Sequence, residues 1–361
     1  MKELQTEGGE REAGSDVSAP PSVLRPPPSE PETRAGAAKP AGRFSRLSKL
    51  INVLGPFLGL LFVIGVFSLD GEVRDYFLTF SNFKIIFTQT VIVAIGALGM
   101  TMIIVSGGID LSVGSVIALC SVVGALLISQ GWSAPMVVLA AILAGGFIGL
   151  VNGAIISYLH MNAFIVTLGM LGVARGGAKW LAGNQTVNYG ASPVNDLMAL
   201  GAQLPMGVWI ALGLAVVTGL LMQRTVFGRR IFAIGSNEAT ARLCGIRVQR
   251  VKASIYALAG FFFGLAGLMQ LSRLRQGDPT VAVGLELDVI AAVVIGGGSL
   301  SGGAGSVLGS MIGALIMAVL RNGSQQMGWP TYMQEIIIGF VIVVAVGLDQ
   351  LRQHRAARAK G

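Results

Sequence analysis

The sequence has little charge and few residues of the kinds that build catalytic or metal sites. Charged residues make up 12% of its 361 residues and apolar residues 53%, whereas a typical soluble domain is about 25% charged. Its two histidines, His160 and His354, are not near Cys120 or Cys244 in sequence, so no zinc site is indicated and no disulfide is expected. The composition excludes an ordinary soluble domain and indicates an integral membrane protein.

Motifs for catalysis are also missing. No lysine is followed by Ser or Thr, so the phosphate-binding pattern GxxxxGK[ST] is absent. The patterns HExxH and GxSxG and a paired-cysteine motif are absent too. The chain is therefore not itself a P-loop ATPase, and we expect it to carry no catalytic residue, no metal ligand and no cofactor-binding residue.

Long apolar runs are what the sequence does have. A membrane-spanning helix needs about 20 mostly apolar residues. Ten runs approach that length, near 50–69, 84–105, 113–130, 135–158, 162–182, 206–223, 253–271, 287–299, 304–320 and 332–350. The runs at 287–299 and 304–320 are short and broken by glycine. We therefore predict an all-α fold, a polytopic membrane bundle of about ten transmembrane helices, with eight to eleven as the range.

The two ends of the chain differ from the apolar middle at 42–351. Residues 1–41 hold seven prolines and almost no large apolar residue, which predicts a disordered tail. Basic residues before the first run and within 352–361 place both ends in the cytoplasm by the positive-inside rule. The same rule places the basic stretch 224–252 there, and it accounts for the net charge of +8 without a nucleic-acid partner.

Two glycine-rich segments resemble each other. Gly107–Val116 reads GGIDLSVGSV and Gly296–Val307 reads GGGSLSGGAGSV. Chance similarity between glycine-rich segments is one explanation. The other is an old duplication of a span–break–span unit, as in transporters that are built from repeats.

Glycine also recurs at every fourth residue in two places. One set is Gly145, Gly149 and Gly153, and the other is Gly305, Gly309 and Gly313. This spacing predicts two helix faces on which neighbouring backbones approach closely. We assign no chemistry to these glycines.

The basic stretch Arg224–Lys252 lies between two long runs and holds a single acid, Glu238. Asn237 suits an N-cap, Glu238 the first turn and Gly245 the position after the last turn, which predicts a helix of about two turns. Its apolar side would consist of Ala239, Leu243 and Ile246. We interpret this helix as a cytoplasmic docking element for another protein, with Arg242 as a further contact residue.

Polar residues in and beside the runs are candidates for a translocation path. Asp110 would cost about 2.5–3.5 kcal/mol at mid-bilayer, so we expect it in a turn, where it caps the next span in competition with Ser112 or acts as a gate. Arg175 needs a partner in the bundle or lines a wet cavity. Interhelical hydrogen bonds and contacts to a polyol explain four further residues equally well, Gln89, Asn152, Asn162 and Thr167.

Four segments together resemble the permease subunits of bacterial ABC importers for monosaccharides, of the ribose, xylose, arabinose and galactofuranose type. They read GMTMIIVSGGIDLSVGSVIAL, NGAIISYLHMNAFIVTLGML, GSNEATARLCGIRVQRVKASIYALAGFFFGLAG and LELDVIAAVVIGGGSLSGGAGSVLGSMIGAL. The likeness covers most of residues 84–345. Residues 1–41 match no pattern of this family.

The resemblance implies a homodimer in the bacterial inner membrane that is driven by a cytoplasmic P-loop ATPase subunit holding ATP and Mg²⁺. A periplasmic binding protein would deliver the sugar, and the ATPase would engage residues 236–246. Sugar alcohols, inositol, autoinducer-type furanosyl compounds, nucleosides and branched-chain amino acids are alternative cargoes within the broader family. A secondary transporter driven by an ion gradient is an alternative of another class, and buried Asp, Glu or His relays would be its mark.

Overall fold

The computed structural model describes residues 43–201 and 203–358, so the tail at 1–41 lies outside the described residues. Within them the chain forms thirteen α-helices, one 3₁₀ turn and a pair of two-residue strands. The helices are α1 Arg43–Ser68, α2 Gly71–Phe77, α3 Phe80–Val105, α4 Val113–Ser129, α5 Ala134–Tyr158, α6 Ala163–Leu181, α7 Met206–Arg224, α8 Val226–Ser236, α9 Glu238–Leu243, α10 Val248–Leu274, α11 Leu285–Ile295, α12 Val307–Gln326 and α13 Thr331–Arg358. The 3₁₀ turn is Pro193–Leu197.

Each of the ten predicted runs is helical, which confirms the helical membrane bundle. In the described part of the chain five helices, α3, α5, α7, α10 and α12, are long and apolar enough to cross a membrane. Shorter apolar helices lie within α1, α4 and α13. The other two runs form α6, which has 19 residues, and α11, which has only 11. The number of helices that cross the bilayer therefore stays a prediction.

Helix α3 is surrounded by other helices. Every residue from Thr90 to Val105 is buried, and α3 packs against α7, α10, α11 and α12. A helix that is apolar on all sides is typical of such a central position. In contrast, α5, α7 and α13 expose large apolar side chains such as Leu139, Val217 and Phe340, as expected of a surface that faces lipid.

Five of the six glycines lie on helices at close contacts, as predicted, whereas Gly305 precedes α12 and lies beside the Val105 side chain. A methyl group at Gly149 of α5 would collide with the Tyr256 carbonyl oxygen of α10. On α12, a methyl group at Gly309 would collide with the Gly296 carbonyl oxygen at the end of α11. Glycine thus lets α5 approach α10, and α12 approach α11, at backbone distance, where dispersion contacts between helices are densest.

The two similar glycine-rich segments form the same turn. Each begins after a helix with a left-handed glycine, Gly107 with φ +84° after α3 and Gly297 with φ +90° after α11. In both turns the next amide donates to a carbonyl five residues earlier, as in a Schellman motif. The two bonds are Gly108 N to Ile103 O at 3.0 Å and Gly298 N to Val293 O at 2.8 Å.

These two turns also contact each other. Gly303 N donates to Val105 O at 2.8 Å, and between the attached helices Thr101 Oγ1 donates to Ser310 Oγ at 2.7 Å. Equivalent helix–turn–helix units, α3–α4 and α11–α12, therefore lie side by side. Their shared geometry favours the duplication over chance similarity of composition.

The segments between runs hold more structure than we predicted. Strands Val187–Asn188 and Gln276–Gly277 pair antiparallel, with Val187 opposite Gly277. The basic stretch contains α8 in addition to the predicted short helix. Helix α8 begins where Thr225 Oγ1 accepts a hydrogen bond from Gly228 N at 3.1 Å, and it buries Ile231 and Ile234.

Candidate functional site

The short helix α9 has the termini that its sequence predicts. Asn237 precedes it, and its Oδ1 accepts a hydrogen bond from Thr240 N at 2.9 Å. After the last turn Gly245 adopts φ +79°, and Ile246 N donates to Ala241 O at 3.1 Å. Both ends of this six-residue helix are thus satisfied by specific local bonds.

Glu238 joins α9 to α10. Its Oε1 accepts from Arg242 Nη2 at 2.6 Å, one turn along α9, and its Oε2 accepts from Lys252 Nζ at 2.6 Å. Partial burial raises the pKa of the Glu238 carboxyl, but the hydrogen bonds and charges of Lys252 and Arg242 outweigh it and lower that pKa below its ordinary value. Glu238 is therefore ionised at neutral pH, and α9 is fastened to the first turns of α10.

The apolar side of α9 is left open. Leu243 is 89% exposed, Ala239 is exposed, and Ile246 is half-buried. Beside α9 lies a cavity of about 330 Å³ whose lining includes Glu238 and Arg242. A helix that is held rigidly while it exposes a leucine is suited to contact a partner protein.

Asp110 lies in the turn before α4 and is buried. Its Oδ1 accepts hydrogen bonds from Ser112 N at 2.8 Å and from Ser112 Oγ at 2.6 Å, and Asn152 Nδ2 donates to Ser112 Oγ at 3.1 Å. Ser112 occupies the N-cap position but makes no side-chain capping bond. Neither side chain therefore makes the expected capping bond to α4, but Asp110 does lie in a turn, as predicted, and its role as a gate stays a prediction. Asp110 instead folds the turn back on itself and ties it to α5.

Asn162 and Thr167 have structural partners on or beside α6. Asn162 is the N-cap of α6 and accepts from Phe164 N at 2.9 Å. The buried Thr167 hydroxyl lies within hydrogen-bonding distance of Ala163 O at 2.9 Å and of Ile109 O at 3.2 Å. Asn162 also lines the cavity beside α9, as do Ile109 and Tyr256. A role of these residues in a path stays a prediction.

Arg175 has a partner inside the bundle. Its Nη1 donates to Pro279 O at 2.8 Å and to Val281 O at 2.6 Å. Both carbonyl groups belong to the connection between α10 and α11. Arg175 thus holds that connection against α6, which is the structural alternative considered from the sequence.

Asp288 is a charged residue that was not predicted from the sequence to belong to a site. Asp288 lies within the predicted run 287–299, and it is completely buried. Its Oδ2 accepts from Arg321 Nε at 2.8 Å and from Arg321 Nη2 at 2.6 Å. The sequence feature that could have indicated this residue is an acid inside an apolar run, LELDVIAAVVI. Its basic partner lies on α12, which extends past the predicted end of its run at residue 320.

The long apolar helices and the polar groups buried between them define a helical membrane protein. A family model described as "Branched-chain amino acid transport system / permease component" matches residues 82–346. The chain belongs to this family, as a permease of the ABC sugar-importer type.

Three curated relatives are similar over nearly the whole chain. The chain is 39% identical to the ribose import permease protein RbsC of Escherichia coli (strain K12), over 82% of this chain and 93% of that protein. It is 35% identical to the L-arabinose ABC transporter permease protein AraH of Azospirillum brasilense, over 94% and 99%. It is 32% identical to the xylose transport system permease protein XylH of Escherichia coli (strain K12), over 89% and 97%. No solved structure matches.

Proposed function

We propose that this chain forms the translocation path of an ABC importer for a monosaccharide of the pentose or hexose kind. A periplasmic binding protein delivers the sugar, and a separate ATPase subunit binds ATP and Mg²⁺ and drives transport. Two copies of the chain pair in the bacterial inner membrane, with both termini in the cytoplasm. The names of the three relatives specify ribose, L-arabinose and xylose, which supports a sugar as cargo.

The observation that carries the proposal is the construction of α9. Asn237 and Gly245 fix its two ends and Glu238 fastens it to α10, yet Leu243 is 89% exposed. Burying an exposed leucine in a partner stabilises a complex by about 1.5–3 kcal/mol. A rigid helix with an apolar tip therefore suits a contact that must transmit movement, and we assign the ATPase to it.

The fold offers a route from α9 into the bundle. Lys252 belongs to α10, and α10 packs against α3, α4 and α5. A displacement of α9 by the ATPase would therefore move α10 against the central helix α3. Alternating access needs such a mechanical link between the docking site and the helices around the path.

The first experiment is gentle purification of this chain from its native membrane, with mass spectrometry of the associated proteins. We expect a P-loop ATPase and a periplasmic sugar-binding protein in the eluate. Purification of the chain alone, together with ATP-independent transport in liposomes, would contradict the proposal and favour a secondary transporter.

Cys244 provides a direct test of the docking site. It is exposed just after α9, whereas Cys120 is buried, so a maleimide reagent should label Cys244 selectively. We expect the bound ATPase to slow this labelling, and Cys244→Ser to abolish it. An unchanged labelling rate with the ATPase bound would place the docking site elsewhere.

A further inference from the structure

A polar cavity lies among the most buried helices. It measures about 210 Å³ and is bounded by α3, α10, α11, α12 and the connection before α11. Its polar side chains are Gln89, Gln270, Arg273, Asp288, Arg321 and Gln325. Three amides and three charged groups in one place are unusual between membrane helices, where polar side chains are rare and mark a substrate pathway.

The cavity has a buried floor and an accessible rim. Gln270 and Asp288 are buried, whereas Arg273 and Gln325 are exposed. A small molecule can therefore reach the floor from the side of Arg273 and Gln325. The volume corresponds to several water molecules, at about 30 Å³ each.

Two acceptor atoms at this cavity are unsatisfied. Among the described residues, neither Asp288 Oδ1 nor Gln89 Oε1 has a hydrogen-bond partner, although both atoms are buried. Buried acceptors without a partner are rare in native proteins. Each of them requires a donor, and a ligand hydroxyl is a suitable one.

The charges argue for a neutral ligand. Arg321 binds the other oxygen of Asp288, Oδ2, at 2.6 Å, so these two charges offset each other. An anion without hydroxyl groups has no proton to donate to Asp288 Oδ1 or Gln89 Oε1, and a cation would lie close to two arginines. A hydroxyl group both donates and accepts, so a polyhydroxylated neutral molecule satisfies the carboxylate, the amides and Arg273 together.

We propose that this cavity binds the sugar during its passage, with Gln89 and Asp288 accepting hydrogen bonds from its hydroxyl groups and Gln270 donating to it. The inference rests on the proposed import of a monosaccharide and assigns the residues that contact it. None of these residues was predicted as part of the path from the sequence except Gln89, for which the alternatives were left open.

The test uses the complete importer, purified with its ATPase and binding protein and reconstituted in liposomes. Gln89→Leu and Gln270→Leu each remove hydrogen-bonding groups from the cavity and keep the approximate size of the side chain. Gln326→Leu is the matched control, because Gln326 lies on α12 outside the cavity lining and its Oε1 is likewise buried without a partner. We expect maximal D-ribose uptake to fall about threefold to tenfold in the two cavity variants. ATPase stimulation by the sugar-loaded binding protein should persist in both.

Direct binding separates this inference from the proposed function. Saturation-transfer NMR on the purified chain should show D-ribose contacts that Gln89→Leu and Gln270→Leu weaken and Gln326→Leu leaves unchanged. If the wild type binds D-ribose in this way but shows no ATP-driven uptake, sugar binding in the cavity is supported and the proposed importer function is refuted. If ATP-driven uptake is equal in all three variants, the importer function is supported and the role of the cavity in sugar binding is refuted. Stronger binding of D-ribose 5-phosphate than of D-ribose would refute the inference that the ligand of this cavity is uncharged.

Discussion

Lys252 Nζ donates a hydrogen bond to Glu238 Oε2 at 2.6 Å and so connects two helices with different surroundings. Glu238 begins a six-residue helix whose leucine is exposed, whereas Lys252 lies in the second turn of α10, which packs on the central helix α3. The other Glu238 oxygen binds Arg242 within α9. One carboxylate thus both orders α9 and attaches it to the bundle.

The first prediction concerns this connection. Glu238→Gln and Lys252→Met should lower sugar uptake per ATP hydrolysed, and Glu238→Lys should lower it further because it places a third cation beside Arg242 and Lys252. Partly exposed ion pairs contribute only about 0.2–1 kcal/mol, so membrane insertion and folding should persist. The measurement is uptake and ATP hydrolysis in the same liposomes, with Arg250→Met, two residues before Lys252 on α10, as the control. Normal coupling of uptake to ATP hydrolysis in Glu238→Lys would contradict the assignment of Glu238 to the ATPase contact.

The second prediction is a pH dependence. The pKa of Glu238 is lowered below its ordinary value of 4.5, so the stabilising charge of its carboxylate is present above the unfolded pKa and is lost only as pH falls through the lower folded value. The coupling difference between wild type and Glu238→Gln should therefore be constant from about pH 5 to about pH 8. If this coupling difference instead changed with pH, with a midpoint near pH 6, the Glu238 carboxylate would have to lack its two cationic partners.

The third prediction concerns the end of α9. Gly245 has φ +79°, and a methyl group there would meet no atom within 4 Å, so replacement acts through backbone strain and not through a collision. Gly245→Val should destabilise the turn by about 1–2 kcal/mol and impair coupling, whereas Gly245→Asn should be milder because asparagine tolerates this conformation. Uptake and ATP hydrolysis in liposomes measure both variants. Equal effects of the two would mean that the left-handed turn is not what the ATPase contact requires.

The short helix α9 was predictable because its signals are local. Asn237, Glu238 and Gly245 lie within nine positions of one another. Asn237 and Gly245 act through bonds to nearby backbone, and Glu238 binds Arg242 one turn along the same helix. The ten helical runs were predictable for a similar reason, since each is an apolar stretch that is visible in the local sequence. Glycine spacing likewise indicated the close helix faces before any partner helix was known.

The polar cavity was not predictable, because its members meet only in the folded bundle. Asp288 and Arg321 are 33 positions apart on different helices, and nothing local to either residue specifies the other. The central position of α3 could not be predicted from the sequence for a different reason. A helix buried on all sides and one facing lipid both have apolar sequences, so apolar periodicity does not separate them.

The fourth prediction concerns Arg175. Arg175→Ala removes two charge-assisted bonds and leaves the carbonyls of Pro279 and Val281 without them. Such bonds contribute about 1.5–3 kcal/mol each, so the apparent melting temperature in detergent should fall clearly. Lys179→Ala, one turn away and exposed, is the control. A stable Arg175→Ala variant that has lost uptake would instead indicate that Arg175 lines the path.

The last prediction tests the close contact between α5 and α10. Gly149→Ala places a methyl group against the Tyr256 carbonyl oxygen and the Gly260 backbone, neither of which can yield unless the two helices separate. Overpacking of this kind costs about 1–3 kcal/mol, and it would also disturb the helix that bears Lys252. Gly172→Ala on α6, where a methyl group meets no atom within 4 Å, should be neutral or slightly stabilising. Fluorescence-detected gel filtration after heating compares the two variants in detergent. If Gly149→Ala were as stable as Gly172→Ala, α5 and α10 would have to pack less closely than the structure shows, and movement of α10 would be less constrained by α5 than the coupling route requires.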